Sequence, residues 1–290
     1  MFIRNFLVIG LFAAFALTSC SDKEDPILKL DNVYLENIYG PAPEFTSLEN
    51  PQKNTLIEEF TGHKCTACPA AAEQLKEWLE ELHPRLSAIA IHAGSLAAVG
   101  NPPFDTDFNT PDGSLIWGEI EGGFNPAARI DRRPGIFAGE DLIGVEEWRS
   151  RIDEQLGQAP QAALQLVTQH VPDDGIVNIH VHTEFLNALQ GQYALIVAIT
   201  ESKIISGQED GRLTPPEIEE YEHNHVLRDI VTLTEGLPMA TNPAANSSFV
   251  RSFSYKLGDG WVPENCHVVA FVVDRTSDLV LNVVEASVHQ

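Results

Sequence analysis

The chain has 290 residues, of which 43% are hydrophobic, so it can bury a core and has room for about two domains. Its 42 acidic residues outnumber its 18 lysines and arginines and give a formal net charge of −24. Because this charge repels phosphate backbones, nucleic-acid binding is excluded as the leading function. Four cysteines are too few for a disulfide-stapled scaffold of this length, so each is interpreted separately.

Residues 1–19 have the features of a lipoprotein signal peptide. Arg4 precedes the apolar run Phe6–Leu17, which is shorter than the ~20 residues that span a bilayer. The run ends in the sequence LTSC, which resembles a bacterial lipobox and implies cleavage before Cys20 and acylation of that residue. The alternative is an ordinary cleaved signal with an incidental cysteine. Ser21 differs from the Asp that retains many Gram-negative lipoproteins in the inner membrane, so we expect an outer-membrane lipid anchor, on the periplasmic or the cell-surface face.

Two further regions follow the signal. Residues 20–52 are a predicted tether, because prolines interrupt the segment and no periodicity is sustained. Residues 53–159 alternate between strand and helix periodicity and predict an α/β layer architecture. The predicted strands there are 56–61, 86–92 and 127–131, and the predicted helices are 70–82, 114–120 and 145–156.

Residues 160–290 carry strand patterns separated by turn-rich stretches, which predict a β-sandwich. Residues 214–221 fit either one helical turn or a long loop. The predicted strands are 162–169, 176–184, 193–200, 226–232, 249–257, 268–273 and 279–286.

Cys65 and Cys68 form a C-x-x-C pair between a predicted strand and the start of a predicted helix, which indicates a thioredoxin-like motif. The helix N-terminus stabilises a thiolate at Cys65, and His63 adds positive charge nearby. Cys68 is then placed to resolve a mixed disulfide on Cys65. A c-type haem site is excluded because Pro69 stands where a histidine is required, and no cofactor is predicted. The rival interpretation is a structural disulfide without turnover.

Two other residues are candidates for the same site. Glu59 lies six residues before Cys65, where a buried acid can exchange a proton with Cys68. Alternation along the strand places Glu58 and Glu59 on opposite faces, so only one of them can have that role. Pro126 precedes the predicted strand that flanks the motif, the position of a substrate-guiding cis-proline in thioredoxin-like folds.

Histidines on two strand-like segments are the remaining candidates for a metal site. His180 and His182 are two residues apart, as are His223 and His225, and two such pairs can converge on a metal ion. No recognised set of metal-ligand spacings accompanies them, so we favour exposed sheet histidines and predict no metal.

Four segments together resemble a known family of outer-membrane lipoproteins, named for their 28-kDa size. They are EEFTG at 58–62, CTACP at 65–69, IHAG at 91–94 and YEHNHVLR at 221–228. The resemblance covers most of residues 55–290 and implies a thioredoxin-like domain followed by a β-rich domain on a lipid tether. Surface receptor and adhesin roles, as well as redox roles, have been suggested for such proteins.

The predicted fold is an α/β thioredoxin-like domain over residues 53–159, followed by an all-β sandwich of immunoglobulin or fibronectin type over residues 160–290. The predicted function is a thiol–disulfide oxidoreductase that acts on thiols and disulfides of envelope proteins. The alternative is a non-catalytic surface lipoprotein of receptor or adhesin type, whose Cys65–Cys68 disulfide is structural.

Overall fold

The computed structural model describes residues 32–120, 122–135 and 142–289. Of the described residues, about 40% lie in strands and 18% in helices. The helices are α1 Glu36–Tyr39, α2 Cys68–Leu82, α3 Pro111–Gly118 and α4 Val145–Leu156. The strands are β1 Thr55–Thr61, β2 Leu86–His92, β3 Ala127–Ile130, β4 Ala162–Val171, β5 Ile176–Phe185, β6 Gln192–Glu201, β7 Ile204–Glu209, β8 Glu217–His223, β9 Val226–Ile230, β10 Leu237–Thr241, β11 Ser247–Lys256, β12 Cys266–Asp274 and β13 Val280–Ser287.

The largest sheet combines strands from both halves of the chain. Its order is β13-β12-β6-β9-β2-β1-β3, and β10 also pairs with β6. β1 and β2 are parallel, and Ala90 of β2 pairs with Val226 of β9, where the two halves join. The predicted fold class, a thioredoxin-like α/β domain followed by an all-β sandwich, is therefore wrong, because the structure is mostly β and its largest sheet takes strands from both halves.

The reason lies in how the faces of β1 and β2 are covered. On one face, α2 and α4 pack through residues such as Leu75 and Trp148. On the other face, Phe60 and Ile91 share a core with Phe271 of β12 and with apolar residues of β6 and β13. Strands from the second half thus cover the face of β1 and β2 that a second layer of helices covers in an α/β fold. The division into residues 53–159 and 160–290 as separate domains stays a prediction.

A three-stranded antiparallel sheet, in the order β11-β5-β4, covers the other face of β6 and β12. Because β6 and β12 are covered on both faces, their sequences are apolar without alternation. The result is a layered molecule in which these two strands lie at the centre.

Strands β7 and β8 form a separate two-stranded hairpin, which is called here the β7–β8 hairpin and includes its connecting turn, residues 204–223. Most of residues 214–221, expected to be a helical turn or a loop, belong to strand β8, so that expectation is wrong. Acidic residues dominate β8 and hide its strand character. In the described part of the chain, no helix is both long and apolar enough to cross a bilayer.

Candidate functional site

Cys65 and Cys68 are joined by a disulfide at the start of α2. Cys68 is the first residue of that helix, and Pro69 follows in the first turn, where no backbone N–H is needed. The sequence motif therefore has the predicted position, directly after β1 and at a helix N-terminus. Both cysteines are buried, with exposed fractions of 3% for Cys65 and 2% for Cys68.

The β7–β8 hairpin lies beside this disulfide and is hydrogen-bonded to the loop that carries it. The backbone N–H of Glu209 donates to the carbonyl of His63 at 2.8 Å, and that of Gly211 donates to the carbonyl of Thr66 at 2.8 Å. The side-chain amide of Gln208 donates to the carbonyl of Cys65 at 3.1 Å. Three carbonyl groups of the motif loop, those of residues 63, 65 and 66, thus accept hydrogen bonds from one segment of the second half of the chain.

Two further contacts fix the hairpin in place. The guanidinium of Arg212 forms a bidentate ion pair with Glu73 on α2, with both distances 2.7 Å. The N–H of Gly207 donates to the carbonyl of Pro103 at 3.0 Å, and a β-carbon on residue 207 would lie only 2.4 Å from that oxygen. Only glycine allows this approach. The acidic sequence of β8 gives no sign that the hairpin belongs to this site.

The two residues before Cys65 both contact the backbone carbonyl of Ala98. His63 is fully buried, and its Nε2 lies 3.0 Å from the carbonyl oxygen of Ala98. The ammonium of Lys64 donates to the same oxygen at 2.6 Å. The carbonyl of Ala98 thus binds both side chains, and the role of His63 in activating Cys65 stays a prediction.

Glu58 and Glu59 point to opposite faces of β1, as strand alternation predicts. Glu58 accepts from the guanidinium of Arg132 at 2.9 and 3.0 Å and lies 3.1 Å from Arg129. Burial opposes ionisation of Glu58, but these two arginines outweigh it and keep the pKa of the carboxyl below its usual value. Glu58 is therefore a buried ion-pair partner rather than a proton carrier.

Glu59 has the opposite environment. Its exposed fraction is 4%, and its Oε1 has no hydrogen-bond partner among the described residues. Burial raises the pKa of Glu59 to about 7. Of the two adjacent glutamates, Glu59 is the one whose chemistry suits proton exchange, although that role stays a prediction.

Glu59 and Cys68 line the same cavity, which has a volume of about 780 Å³. The cavity lies between α2 and the β7–β8 hairpin, with residues of β1 and β2 also contributing to its lining. Apolar side chains of α2, such as Leu75 and Leu79, form one wall, and Tyr221 and His223 belong to the hairpin side. A cavity of this size is in the range that holds a small ligand.

The peptide bond between Asn125 and Pro126 is cis, as the position of Pro126 predicts. The side-chain amide of Asn125 donates to the carbonyls of Thr61 and Ala93, at 3.1 and 3.3 Å. These contacts tie the proline loop to the ends of β1 and β2. A substrate-guiding role for Pro126 stays a prediction.

A cluster of buried aromatic rings adjoins the cavity. Phe108 packs against His92 and His223, with ring centroids 4.5 Å apart in each pair. Burial lowers the pKa of His92 well below its usual value and that of His223 to about 4, so both imidazoles are neutral near pH 7. The sequence placed His223 at strand spacing but gave no signal that it lies beside His92.

The other histidine pair, on β5, is not arranged to bind a metal ion. His180 and His182 are buried on β5, not exposed as expected. His180 lies 2.8 Å from the hydroxyl of Ser252, and His182 lies 3.1 Å from the amide of Gln165. Within the described ranges, no group of three or more His, Cys, Asp or Glu residues is arranged to hold a metal ion. Cys266 is a buried free thiol.

Comparison with known families identifies the chain. The model of the outer membrane protein Omp28 family matches residues 120–290, which is more than half of the sequence. The chain belongs to the Omp28 family. This confirms the resemblance inferred from the motifs, and it confirms the predicted localisation at the outer membrane with a lipid anchor. Cys20, the predicted lipidation site, lies outside the described residues.

Several solved structures are similar to this Omp28-family protein. HBP35 of Porphyromonas gingivalis is 16% identical, with a TM-score of 0.63 over 82% of this chain and 76% of that one. A protein from Agrobacterium tumefaciens is 14% identical, with a TM-score of 0.52 over 83% and 97% of the two chains. A domain of the Omp28 lipoprotein from P. gingivalis is 18% identical and covers 45% of this chain and 89% of that one, with a TM-score of 0.31. At these identities, the first two relatives show the fold alone. No curated protein matches the sequence.

Proposed function

We propose that this Omp28-family protein is a non-catalytic binding protein of the outer-membrane surface, and that its Cys65–Cys68 disulfide is structural. The observation that carries the proposal is the burial of both cysteines in a loop that is hydrogen-bonded to the β7–β8 hairpin. Both cysteines are almost fully buried, and the β7–β8 hairpin is hydrogen-bonded to the backbone of residues 63, 65 and 66.

This burial bears directly on reactivity. Thiol–disulfide exchange requires a thiolate to reach one of the two sulfur atoms and form a mixed disulfide. Catalytic cysteines accordingly lie in partly exposed positions, whereas buried structural cysteines are inert. Cys65 is 3% exposed, and moving the adjacent β7–β8 hairpin aside to admit a protein substrate would break its contacts with the motif loop and with Glu73.

The proposal predicts that this protein captures no substrate through Cys65. We expect a Cys68→Ser variant, which leaves Cys65 without its internal partner, to form no mixed disulfide with envelope proteins in living cells. The measurement is a non-reducing gel of acid-quenched cells, and a Cys65→Ser, Cys68→Ser double variant is the control. Adducts that appear in Cys68→Ser and are absent from the double variant would overturn the proposal.

A second candidate is a thiol–disulfide oxidoreductase that acts on envelope proteins. The observation that favours it is Glu59, which lines the cavity beside Cys68 and has a pKa near neutrality. In the reduced protein, the Cys65 thiolate would attack a substrate disulfide and release one substrate thiolate. Cys68 would then give its proton to Glu59 and attack Cys65, re-forming the internal disulfide and leaving a reduced dithiol in the substrate. The capture experiment separates the two candidates.

A further inference from the structure

The lining of the cavity between α2 and the β7–β8 hairpin includes a deeply buried carboxyl group. That group is Glu59, whose carboxyl is buried and whose Oε1 finds no hydrogen-bond partner among the described residues. A buried carboxyl oxygen without a hydrogen-bond partner costs folding free energy, and carboxyl groups with pKa values shifted by burial are concentrated at functional sites. The nearby disulfide does not explain it, because a structural disulfide needs no proton acceptor.

No counter-ion of Glu59 is present among the described residues, because burial alone accounts for its raised pKa. His92 and His223 line the same cavity, but burial lowers the pKa of both, so both are neutral near pH 7. Lys76 and Lys203 also line the cavity, and three further glutamates, Glu73, Glu80 and Glu222, accompany them. Acidic groups therefore outnumber the lysines in the lining, as they outnumber basic groups in the whole chain.

The remaining lining is suited to a hydrocarbon body. Pro69, Ala72, Leu75 and Leu79 of α2 present apolar surface to the cavity, whose volume of about 780 Å³ suits a small ligand. Burial of such surface provides affinity, and a single charged contact provides orientation.

We propose that this cavity binds a small apolar amine, such as an alkylammonium or arylalkylammonium ion, whose charged nitrogen pairs with Glu59. The ammonium supplies the missing hydrogen-bond donors, and the apolar body lies against α2. A carboxylate ligand is disfavoured because Glu59 and the negative chain repel it. The inference names the ligand class for the proposed binding function and rests on that function, in which Glu59 has no part in disulfide exchange.

The test measures binding of phenethylamine to the full-length oxidised protein at pH 8 by isothermal titration calorimetry. The comparison ligands, 3-phenylpropionate and 2-phenylethanol, share the aromatic body and carry a negative charge or none. We expect the amine to bind and each comparison ligand to bind at least tenfold more weakly. Stronger binding of the carboxylate or of the alcohol would overturn the proposal.

Two variants and one control locate the site. Glu59→Gln should weaken amine binding at least tenfold, and Ala72→Phe should abolish it by filling the cavity. Glu285→Gln is the matched control, because burial also raises the pKa of this carboxyl to about 7 but it does not line the cavity. Equal affinity of Glu59→Gln and wild type would refute the inference. That result would leave the proposed function intact, whereas mixed-disulfide adducts of Cys68→Ser would refute the proposed function and leave amine binding unaffected.

Discussion

The same substitution at two adjacent residues is expected to change the stability of this protein in opposite directions. At pH 8, Glu58→Gln should lower the free energy of unfolding by about 3–5 kcal/mol, because it removes the buried carboxylate from Arg129 and Arg132 and leaves them only the exposed Asp278. Glu59→Gln should raise it by about 3 kcal/mol, because it removes a buried carboxylate that has no counter-ion. The measurement is urea unfolding of both variants and of wild type.

The pH dependence of the Glu59 effect follows from its raised pKa. An unfolded glutamate has a pKa of 4.5, and the folded one has a pKa of about 7. Below pH 4.5, Glu59 is protonated in both states, and its favourable contribution is fully present. Between these values the folded protein retains a proton that the unfolded chain has released, so stability falls as the pH rises. The loss is complete above about pH 7 and amounts to about 3 kcal/mol.

The comparison therefore has an internal check. The stability advantage of Glu59→Gln over wild type should be fully present at pH 8 and mostly lost at pH 5, while the destabilisation by Glu58→Gln should persist at both. If Glu59→Gln destabilised the protein at pH 8, or if its effect did not change with pH, Glu59 would have a partner that the structure does not show.

The second large effect concerns the β7–β8 hairpin. Gly207→Ala should loosen the hairpin, because the new β-carbon would lie 2.4 Å from the carbonyl oxygen of Pro103. Loss of about 2 kcal/mol in local stability raises the population of the open form about 30-fold. We expect the rate at which dithiothreitol reduces the Cys65–Cys68 disulfide to rise by at least tenfold, since reduction proceeds from the open form.

Gln208→Ala and Gly118→Ala complete this experiment. Gln208→Ala removes the hydrogen bond to the carbonyl of Cys65 without a steric clash and should also accelerate reduction. Gly118→Ala adds a β-carbon that contacts nothing and should leave the rate unchanged. Equal rates in wild type, Gly207→Ala and Gln208→Ala would mean that the hairpin does not protect the disulfide.

Individual strands and helices were predictable from the sequence because each one depends on the spacing of apolar residues within a short segment. The predicted strands 56–61 and 86–92 agree with β1 and β2 to within one residue, and the predicted helix 70–82 begins two residues after the start of α2. Alternation along β1 also separated Glu58 from Glu59 correctly. These features need only the periodicity of side chains and the position of proline.

The order in which those strands pair in the sheets was not predictable from such short-range patterns. The sheet joins β2 to β9, two strands that are more than a hundred residues apart, and no local pattern encodes that pairing. One signal was available: β6 and β12 are apolar without alternation, which indicates strands buried on both faces. The β7–β8 hairpin gave no such signal, because the acidic residues of β8 indicate a solvated segment.

The central claim is that the Cys65–Cys68 disulfide is a structural cross-link, and its reduction potential tests this most directly. The mature protein is equilibrated in redox buffers of defined potential, and free Cys65 and Cys68 thiols are detected by the mass shift on alkylation. We predict a potential below about −300 mV, as is typical of structural disulfides. A potential between about −270 and −120 mV, the range from thioredoxin to strong oxidants, would contradict the account and indicate a catalytic pair.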